Sequence, residues 1–87
     1  MSTDDIGRVC ISTAGRDKGR VFVIVGECED GLCVYVADGA MRKLAKPKRK
    51  KRKHLKMTGD RLMVIAEKLR TDQKVFDAEV WSALNNL

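Results

Sequence analysis

Residues 8–39 read RVCISTAGRDKGRVFVIVGECEDGLCVYVADG, and this segment contains the clearest strand and turn signals of the chain. Its apolar residues lie in short segments rich in Val, Ile and aromatic side chains, which favour β-strands over helices. Glycine-containing turns separate these segments at intervals of about twelve residues, a spacing typical of a small antiparallel barrel. The predicted elements are strands over residues 6–12, 21–25 and 32–36, with turns over residues 13–19 and 27–31.

The chain beyond this stretch predicts two further strands. Asp38-Gly39 marks a third turn, and a short fourth strand is predicted over residues 40–44. Pro47 then interrupts the chain, because proline cannot donate a hydrogen bond to a strand ladder. Leu55 and Met57 lie two residues apart, so we predict a closing strand over residues 54–57.

The apolar spacing becomes helical after residues 58–59. We predict one amphipathic helix over residues 60–70, and a second that has Asp77 as its N-cap and ends near residues 85–86. The apolar residues that define these helices are Leu62, Ile65, Ala66 and Leu69 in the first and Val80, Trp81 and Leu84 in the second.

The predicted fold class is mainly β (α+β): a small antiparallel β-barrel followed by a C-terminal helical tail. The barrel, together with the basic segment described below, is expected to occupy residues 1–59, and the tail residues 60–87. The aromatic residues Phe22, Tyr35 and Trp81 are expected to lie in the core, where Trp81 would seal one end of the barrel. A chain of 87 residues is long enough for one such domain.

The composition limits the class of protein. The apolar fraction of 44% is ordinary for a globular chain, and no apolar stretch approaches the roughly 20 residues that span a bilayer. The first nine residues, MSTDDIGRV, are acidic and lack an apolar segment, so they predict no secretory signal. We therefore expect a cytoplasmic protein with no membrane partner.

The cysteines do not predict a metal or a disulfide framework. There are three of them, an odd number, and cytosolic proteins rarely hold structural disulfides. Four residues separate Cys28 from Cys33, which is wider than the spacing of a usual zinc knuckle, and no second Cys/His pair completes four ligands. His54, the only histidine, lies among cations. We predict reduced structural cysteines, with no metal and no cofactor.

Positive charge is concentrated in one segment, which we call the basic run. Residues 42–56 read RKLAKPKRKKRKHLK and hold ten of the 18 Lys and Arg residues with no acid, so the rest of the chain is net negative. Like charges repel, so the run is expected to be an extended, solvated linker until it meets a polyanion. Nucleic acid is the leading partner because its phosphates release counterions when cations bind. The alternatives are a solubilising tract or, for PKRKKRK, a nuclear localisation signal.

The turn at residues 13–20 carries a second group of cations. We expect Arg16, Lys18 and Arg20 to project from the barrel, where arginine can make forked contacts with phosphates or stack on an unpaired base. The glycines are expected to let backbone amides approach phosphates, and the Ser12 and Thr13 hydroxyls are expected to donate to phosphate or ribose. The alternative is a purely structural hairpin. The spacing of the glycines does not fit a nucleotide-binding P-loop.

Residues 12–25, STAGRDKGRVFVIV, resemble a KOW motif, and Gly19 matches the glycine that defines it. The likeness is to archaeal and eukaryotic-type large-subunit ribosomal proteins, and especially to short bacterial KOW-domain RNA-binding proteins. HLKMTG at residues 54–59 also resembles the segment that follows the barrel in those bacterial proteins. This resemblance covers roughly residues 5–59 and implies an SH3-like barrel that binds RNA, usually ribosomal RNA, without catalysis. Phe76 departs from it, because Ser or Thr would be the natural helix cap there.

We therefore predict a non-enzymatic RNA-binding protein, ribosomal or ribosome-associated, that docks on structured ribosomal RNA. Ribosomal proteins are possible further partners, and no small-molecule substrate is expected. The alternative functions are a transcription-associated KOW module that contacts protein and nucleic acid and, with least support, a small enzyme or metalloprotein. The candidate RNA-binding residues are Ser12, Thr13, Gly15, Arg16, Lys18, Gly19, Arg20, Arg42, Lys43, Lys46, Lys48, Arg49, Lys50, Lys51, Arg52, Lys53, His54 and Lys56.

Overall fold

The computed structural model describes residues 5–87. Most of the acidic start from which we predicted the absence of a secretory signal, residues 1–4, lies outside the described residues. The elements in chain order are β1 (Arg8–Ser12), β2 (Val21–Glu27), β3 (Cys33–Ala37), β4 (Lys48–Lys51), a 3₁₀ turn (Arg52–His54), β5 (Leu55–Arg61), α1 (Met63–Arg70) and α2 (Asp77–Asn85).

The strands form one five-stranded sheet in the order β4-β3-β2-β1-β5, and every neighbouring pair is antiparallel. Val9 pairs with Val23, and Val23 pairs in turn with Ala37. Both helices follow the last strand. The prediction of a mainly β chain with C-terminal helices is therefore confirmed.

Apolar side chains pack on both faces of the sheet, because successive residues of a strand point to opposite faces. The inner cluster contains Cys10, Phe22, Ile24, Val34 and Val36. The helix-side cluster contains Val9 and Val23 from the sheet with Leu62, Ile65 and Val80 from the helical region. Burial on both faces explains why β2 begins with the continuous apolar segment VFVIV rather than an alternating pattern.

The fourth strand lies elsewhere than predicted. Residues 40–44 form bends and a turn, in which the Asp38 carboxylate accepts hydrogen bonds from the amides of Ala40 and Arg42, each at 2.9 Å. The strand is instead β4, inside the basic run, so the prediction of a fully solvated linker is wrong. The predicted closing strand is confirmed as β5 and is longer than expected, because it pairs with β1 as far as Arg61 opposite Arg8.

The helix starts differ from those predicted. Because Asp60 belongs to β5, α1 begins at Met63, and its predicted apolar face is confirmed by the burial of Ile65 and Ala66. Asp77 is the first residue of α2 and not its N-cap, so that prediction is wrong. Its carboxylate instead accepts a hydrogen bond from the Leu44 amide at 2.7 Å, which ties the β3–β4 loop to the helix.

The aromatic residues divide between core and surface. Phe22 is fully buried, as predicted, whereas Tyr35 is 37% exposed and Trp81 is 51% exposed. The predicted burial of these two residues is wrong, and α2 instead packs through Val80 and Leu84. None of the helices within residues 5–87 is long and apolar enough to cross a membrane.

Candidate nucleic-acid interface

A buried polar cluster connects the β1–β2 turn to β4. Lys50 Nζ donates to Asp17 Oδ1 at 2.7 Å and to the Ala14 carbonyl oxygen at 2.8 Å. The Ser12 hydroxyl donates to the same Asp17 oxygen at 2.7 Å. Ser12, Asp17 and Lys50 are all buried. We call these three residues the turn anchor, because they fix the turn against a strand that is far away in the sequence.

More than one cation stabilises the negative charge of the Asp17 carboxylate. Lys48 Nζ lies 2.9 Å from Asp17 Oδ2, whereas Lys50 contacts the other carboxylate oxygen, Oδ1. Burial alone would raise the pKa of Asp17, but hydrogen bonds from Lys48, Lys50 and Ser12 together hold that pKa well below its usual range. The carboxylate is therefore ionised throughout the neutral range and remains available to both lysines.

The inward direction of Asp17 leaves the other charges of the turn at the surface. Arg16, Lys18 and Arg20 are exposed and make no ion pair with any described residue. The backbone amides of Lys18, Gly19 and Arg20 donate to carbonyl oxygens within the turn, so they are not free for a phosphate as we had expected. The positive φ of Gly19, 89°, thus serves the conformation of the turn.

The turn and the basic run meet in one groove of about 250 Å³, which we call the basic groove. Arg16 and Arg20 line it from the turn, and Arg42 and Lys48 line it from the basic run. The remaining lining residues are Asp17, Phe22 and Met41. A neighbouring hollow between Met41 and Lys46 adds Lys43 and Lys46 to the same charged surface. Cations from two separate parts of the sequence therefore converge.

Part of the basic run is paired with acids from other elements. Arg52 contacts Asp5 and lies 3.1 Å from Glu27, and Arg49 lies 3.7 Å from Asp30. With Lys48 and Lys50 bound to Asp17, four cations of the run have internal partners. The six that are exposed and form no ion pair within residues 5–87 are Arg42, Lys43, Lys46, Lys51, Lys53 and Lys56.

The remaining candidate residues are unequally placed. Thr13 and Gly15 are exposed on the turn, whereas the Ser12 hydroxyl is buried and already donates to Asp17. His54 is half-buried in the 3₁₀ turn, and its carbonyl oxygen accepts the Thr13 amide at 2.9 Å. Ser12 and Lys50 are therefore structural in this arrangement, and neither presents a polar group to a ligand.

Trp81 lies beside the basic groove, a position that the sequence analysis missed. A shallow hollow of about 200 Å³ is lined by Arg20, Val21, Asp38, Trp81, Leu84 and Asn85. The helical spacing held a signal for this exposure. Val80 and Leu84 are four residues apart and share one helix face, while Trp81 is rotated by about 100° from Val80.

A second cluster of chemically reactive side chains lies at the tip of the β2–β3 hairpin. The ligating atoms of Cys28, Asp30 and Cys33 all lie within 4.8 Å of one another. Arg49 adjoins them, and its pKa is raised, first by a hydrogen bond to Cys28. The third thiol, Cys10, is separate: it is buried in the inner cluster, and desolvation raises its pKa to about 12, so it is unreactive.

Comparison with known proteins assigns no family to this chain. It matches no protein-family model and no curated protein.

Proposed function

We propose that this chain is a non-enzymatic RNA-binding protein of KOW type that docks on structured, ribosomal RNA through the basic groove. The observation that carries the proposal is the convergence of Arg16 and Arg20 with Arg42 in that groove. A phosphate backbone favours such a surface, because each cation that meets a phosphate releases condensed counterions. Arginine adds forked, two-point contacts with phosphate oxygens.

An SH3-like barrel is the fold that we propose for the sheet. Its two edge strands, β4 and β5, are joined directly by the 3₁₀ turn Arg52–His54. This turn is bonded to the sheet on both sides: the Arg52 amide donates to Leu32 at 2.9 Å, and the Thr13 amide donates to His54. The short edge-to-edge connection and the enclosed inner cluster both support closure of the sheet into a barrel.

Structured RNA fits the surface better than an unstructured strand does. Proteins that bind single strands without sequence preference stack successive bases on several aromatic side chains. Here one exposed aromatic residue, Trp81, adjoins Arg20, which suits a single unpaired base beside a phosphate-rich junction. The resemblance of residues 12–25 to the KOW motif supports ribosomal RNA as the source of that junction.

The test is fluorescence anisotropy with a labelled RNA hairpin containing an internal bulge, titrated over a series of KCl concentrations. Five exposed cations line or flank the groove, namely Arg16, Arg20, Arg42, Lys43 and Lys46, so we expect a slope of log K against log salt of about −4.5. The combined variant Arg16→Gln, Arg20→Gln, Arg42→Gln is expected to bind at least about tenfold more weakly, with a slope less steep by about 3. Lys74→Gln removes an exposed charge outside both basic segments and is the matched control.

These substitutions are preferable to neutralising residues 48–53 together. That change would also remove Lys50 from the turn anchor, so weaker binding could arise from unfolding. Retention of full affinity by the triple variant, or failure of the wild-type protein to bind the hairpin at low salt, would contradict the proposal.

Sedimentation of a cell lysate through a sucrose gradient then tests the ribosomal context. We expect the protein in the large-subunit fraction at low salt. Persistence there at high salt indicates an integral ribosomal component, whereas release indicates a peripheral factor. Absence from ribosomal fractions at both salt concentrations would refute the ribosomal assignment and favour a transcription-associated module.

A further inference from the structure

We propose that Cys28, Asp30 and Cys33 form a binding site for a thiophilic divalent metal ion such as Zn²⁺ at the tip of the β2–β3 hairpin. The proposal is independent of RNA binding. It rests on the convergence of two sulfur atoms and one carboxylate oxygen within 4.8 Å of one another.

Strand pairing explains how the two cysteines come together. Gly26 pairs with Tyr35 and Glu27 with Val34, and the same register places Cys28 directly opposite Cys33. The Cys28 amide donates to the Cys33 carbonyl oxygen at 3.2 Å, which continues this pairing. Opposed residues of an antiparallel pair have their side chains on the same face of the sheet. The four residues between the cysteines thus form a hairpin loop that projects both thiols to one side.

Asp30 is held in place by the loop itself. One of its carboxylate oxygens accepts the Leu32 amide at 2.9 Å, and the other lies 3.7 Å from Arg49. The first contact fixes the carboxylate close to its own loop backbone. Two contacts therefore place the Asp30 carboxylate beside the two thiols.

The donor set suits zinc or a similar ion. Zn²⁺ binds thiolate at about 2.3 Å and carboxylate at about 2.0–2.2 Å in tetrahedral geometry, which separates donor atoms by about 3.5–4 Å. The donors observed here lie within 4.8 Å of one another, so they need to approach by no more than about 1.3 Å to reach that separation. Asp30 is exposed and Cys28 is only partly buried, so the hairpin tip has room for this adjustment. Three protein ligands leave a fourth coordination position for water or an anion.

Arg49 accounts for the charge of the occupied site. Two thiolates, one carboxylate and a divalent ion sum to a charge of −1, and the Arg49 guanidinium, 3.7 Å from the Asp30 carboxylate, supplies a positive charge and N–H donors beside the site. Such donors outside the ligand sphere orient ligands and stabilise thiolate charge. The cluster also borders a groove of about 490 Å³ whose other walls include Lys51, Arg52 and Lys53. The positive charge of these residues beside the open coordination position would favour an anionic fourth ligand.

The test is a Co²⁺ titration of the full chain, kept reduced with a phosphine. We expect a thiolate-to-cobalt charge-transfer band that saturates at one equivalent and disappears when Zn²⁺ displaces the cobalt. Cys28→Ser should abolish the band, and Asp30→Asn should weaken cobalt binding at least tenfold. Glu29→Gln, which removes the neighbouring exposed acid of the same loop, is the matched control and should bind as the wild type does.

Thermal unfolding gives an independent readout. Zn²⁺ should raise the melting temperature of the wild-type protein, EDTA should reverse the increase, and Cys28→Ser should show neither effect. Absence of the charge-transfer band from the reduced wild-type protein, or an unchanged band in Cys28→Ser, would overturn the proposal. The purified protein could also contain a Cys28–Cys33 disulfide. If the two thiols did not bind cobalt after that disulfide was reduced, the proposal would be overturned as well.

Discussion

Replacement of Lys50 by methionine should lower the free energy of unfolding far more than replacement of the next residue, Lys51, by methionine. Methionine retains most of the aliphatic volume of lysine and removes the ammonium group. Lys50 has two charge-assisted contacts to lose, with Asp17 at 2.7 Å and the Ala14 carbonyl at 2.8 Å, in a site where its side chain is only 7% exposed. Lys51 is exposed and makes no ion pair within residues 5–87, so Lys51→Met is a control with the same change of charge.

The expected magnitude follows from what remains around Asp17. Removal of one partner from a buried ion pair costs about 3–5 kcal/mol when the other charge is left uncompensated. Here Lys48 stays at 2.9 Å and the Ser12 hydroxyl at 2.7 Å, so Asp17 keeps part of its stabilisation. We therefore expect Lys50→Met to lower the free energy of unfolding by about 2–3 kcal/mol. Lys51→Met should change that free energy by less than about 0.5 kcal/mol.

Urea denaturation followed by far-UV circular dichroism measures both changes. In a domain of this size a loss of 2–3 kcal/mol lowers the melting temperature by roughly 10–20 °C, so thermal unfolding provides a second readout. The double variant with Asp17→Asn should lose less stability than the two single variants added together, because the contact is shared. Equal stability of Lys50→Met and Lys51→Met would refute the assignment of Lys50 to the turn anchor.

The remaining predictions concern acid stability and backbone packing. Because the pKa of Asp17 is lowered in the folded state, this carboxylate stabilises the fold above its unfolded pKa of about 3.9, and that contribution is lost as the pH falls further. Urea midpoints measured from pH 6 to pH 2 should therefore fall more steeply for the wild type than for Asp17→Asn, and parallel curves would contradict this. Gly39→Ala would place a methyl group 2.2 Å from the Asp77 carbonyl oxygen, whereas the same group at Gly31, also at positive φ, meets nothing within 4 Å. We expect Gly31→Ala to cost about 1–2 kcal/mol and Gly39→Ala at least about 2 kcal/mol more, and similar urea midpoints for the two would refute the close approach of α2.

Most of the sheet could be predicted from the sequence because its signals are local. The apolar segments around Val9 and Val23 and the glycine-containing turns between them specify strands without reference to distant residues. The strand in the basic run could not be predicted in this way. Its formation depends on Val34 and Val36, opposite Lys50 and Lys48, and on Asp17, more than thirty residues earlier than either lysine. All of these partners lie outside the basic run, so counting the charges within the run could not predict the strand.

The candidate sites show the same division between local and long-range information. The exposure of Arg16 and Arg20 followed from a short turn, and that expectation holds in the structure. Their convergence with Arg42 depends on where the β3–β4 loop returns, which no local pattern specifies. The spacing of Cys28 and Cys33 argued against a metal when it was compared with zinc knuckles. Strand register makes the two residues direct neighbours, and the sequence determines that register only through the whole hairpin.

The division of the basic run explains how so dense a charge can belong to a folded chain. Asp5, Asp17, Glu27 and Asp30 all lie outside the run, and together they pair with four of its cations. These contacts offset the charges of Lys48, Arg49, Lys50 and Arg52, whose mutual repulsion would otherwise oppose the pairing of β4 with the sheet. The cations of the β3–β4 loop have no such partners among the described residues, and they lie beside the equally unpaired cations of the β1–β2 turn. The density of charge in the sequence is therefore a poor guide to the binding surface. Affinity for a polyanion should follow the cations that the acids leave unpaired, and stability should follow those that the acids bind.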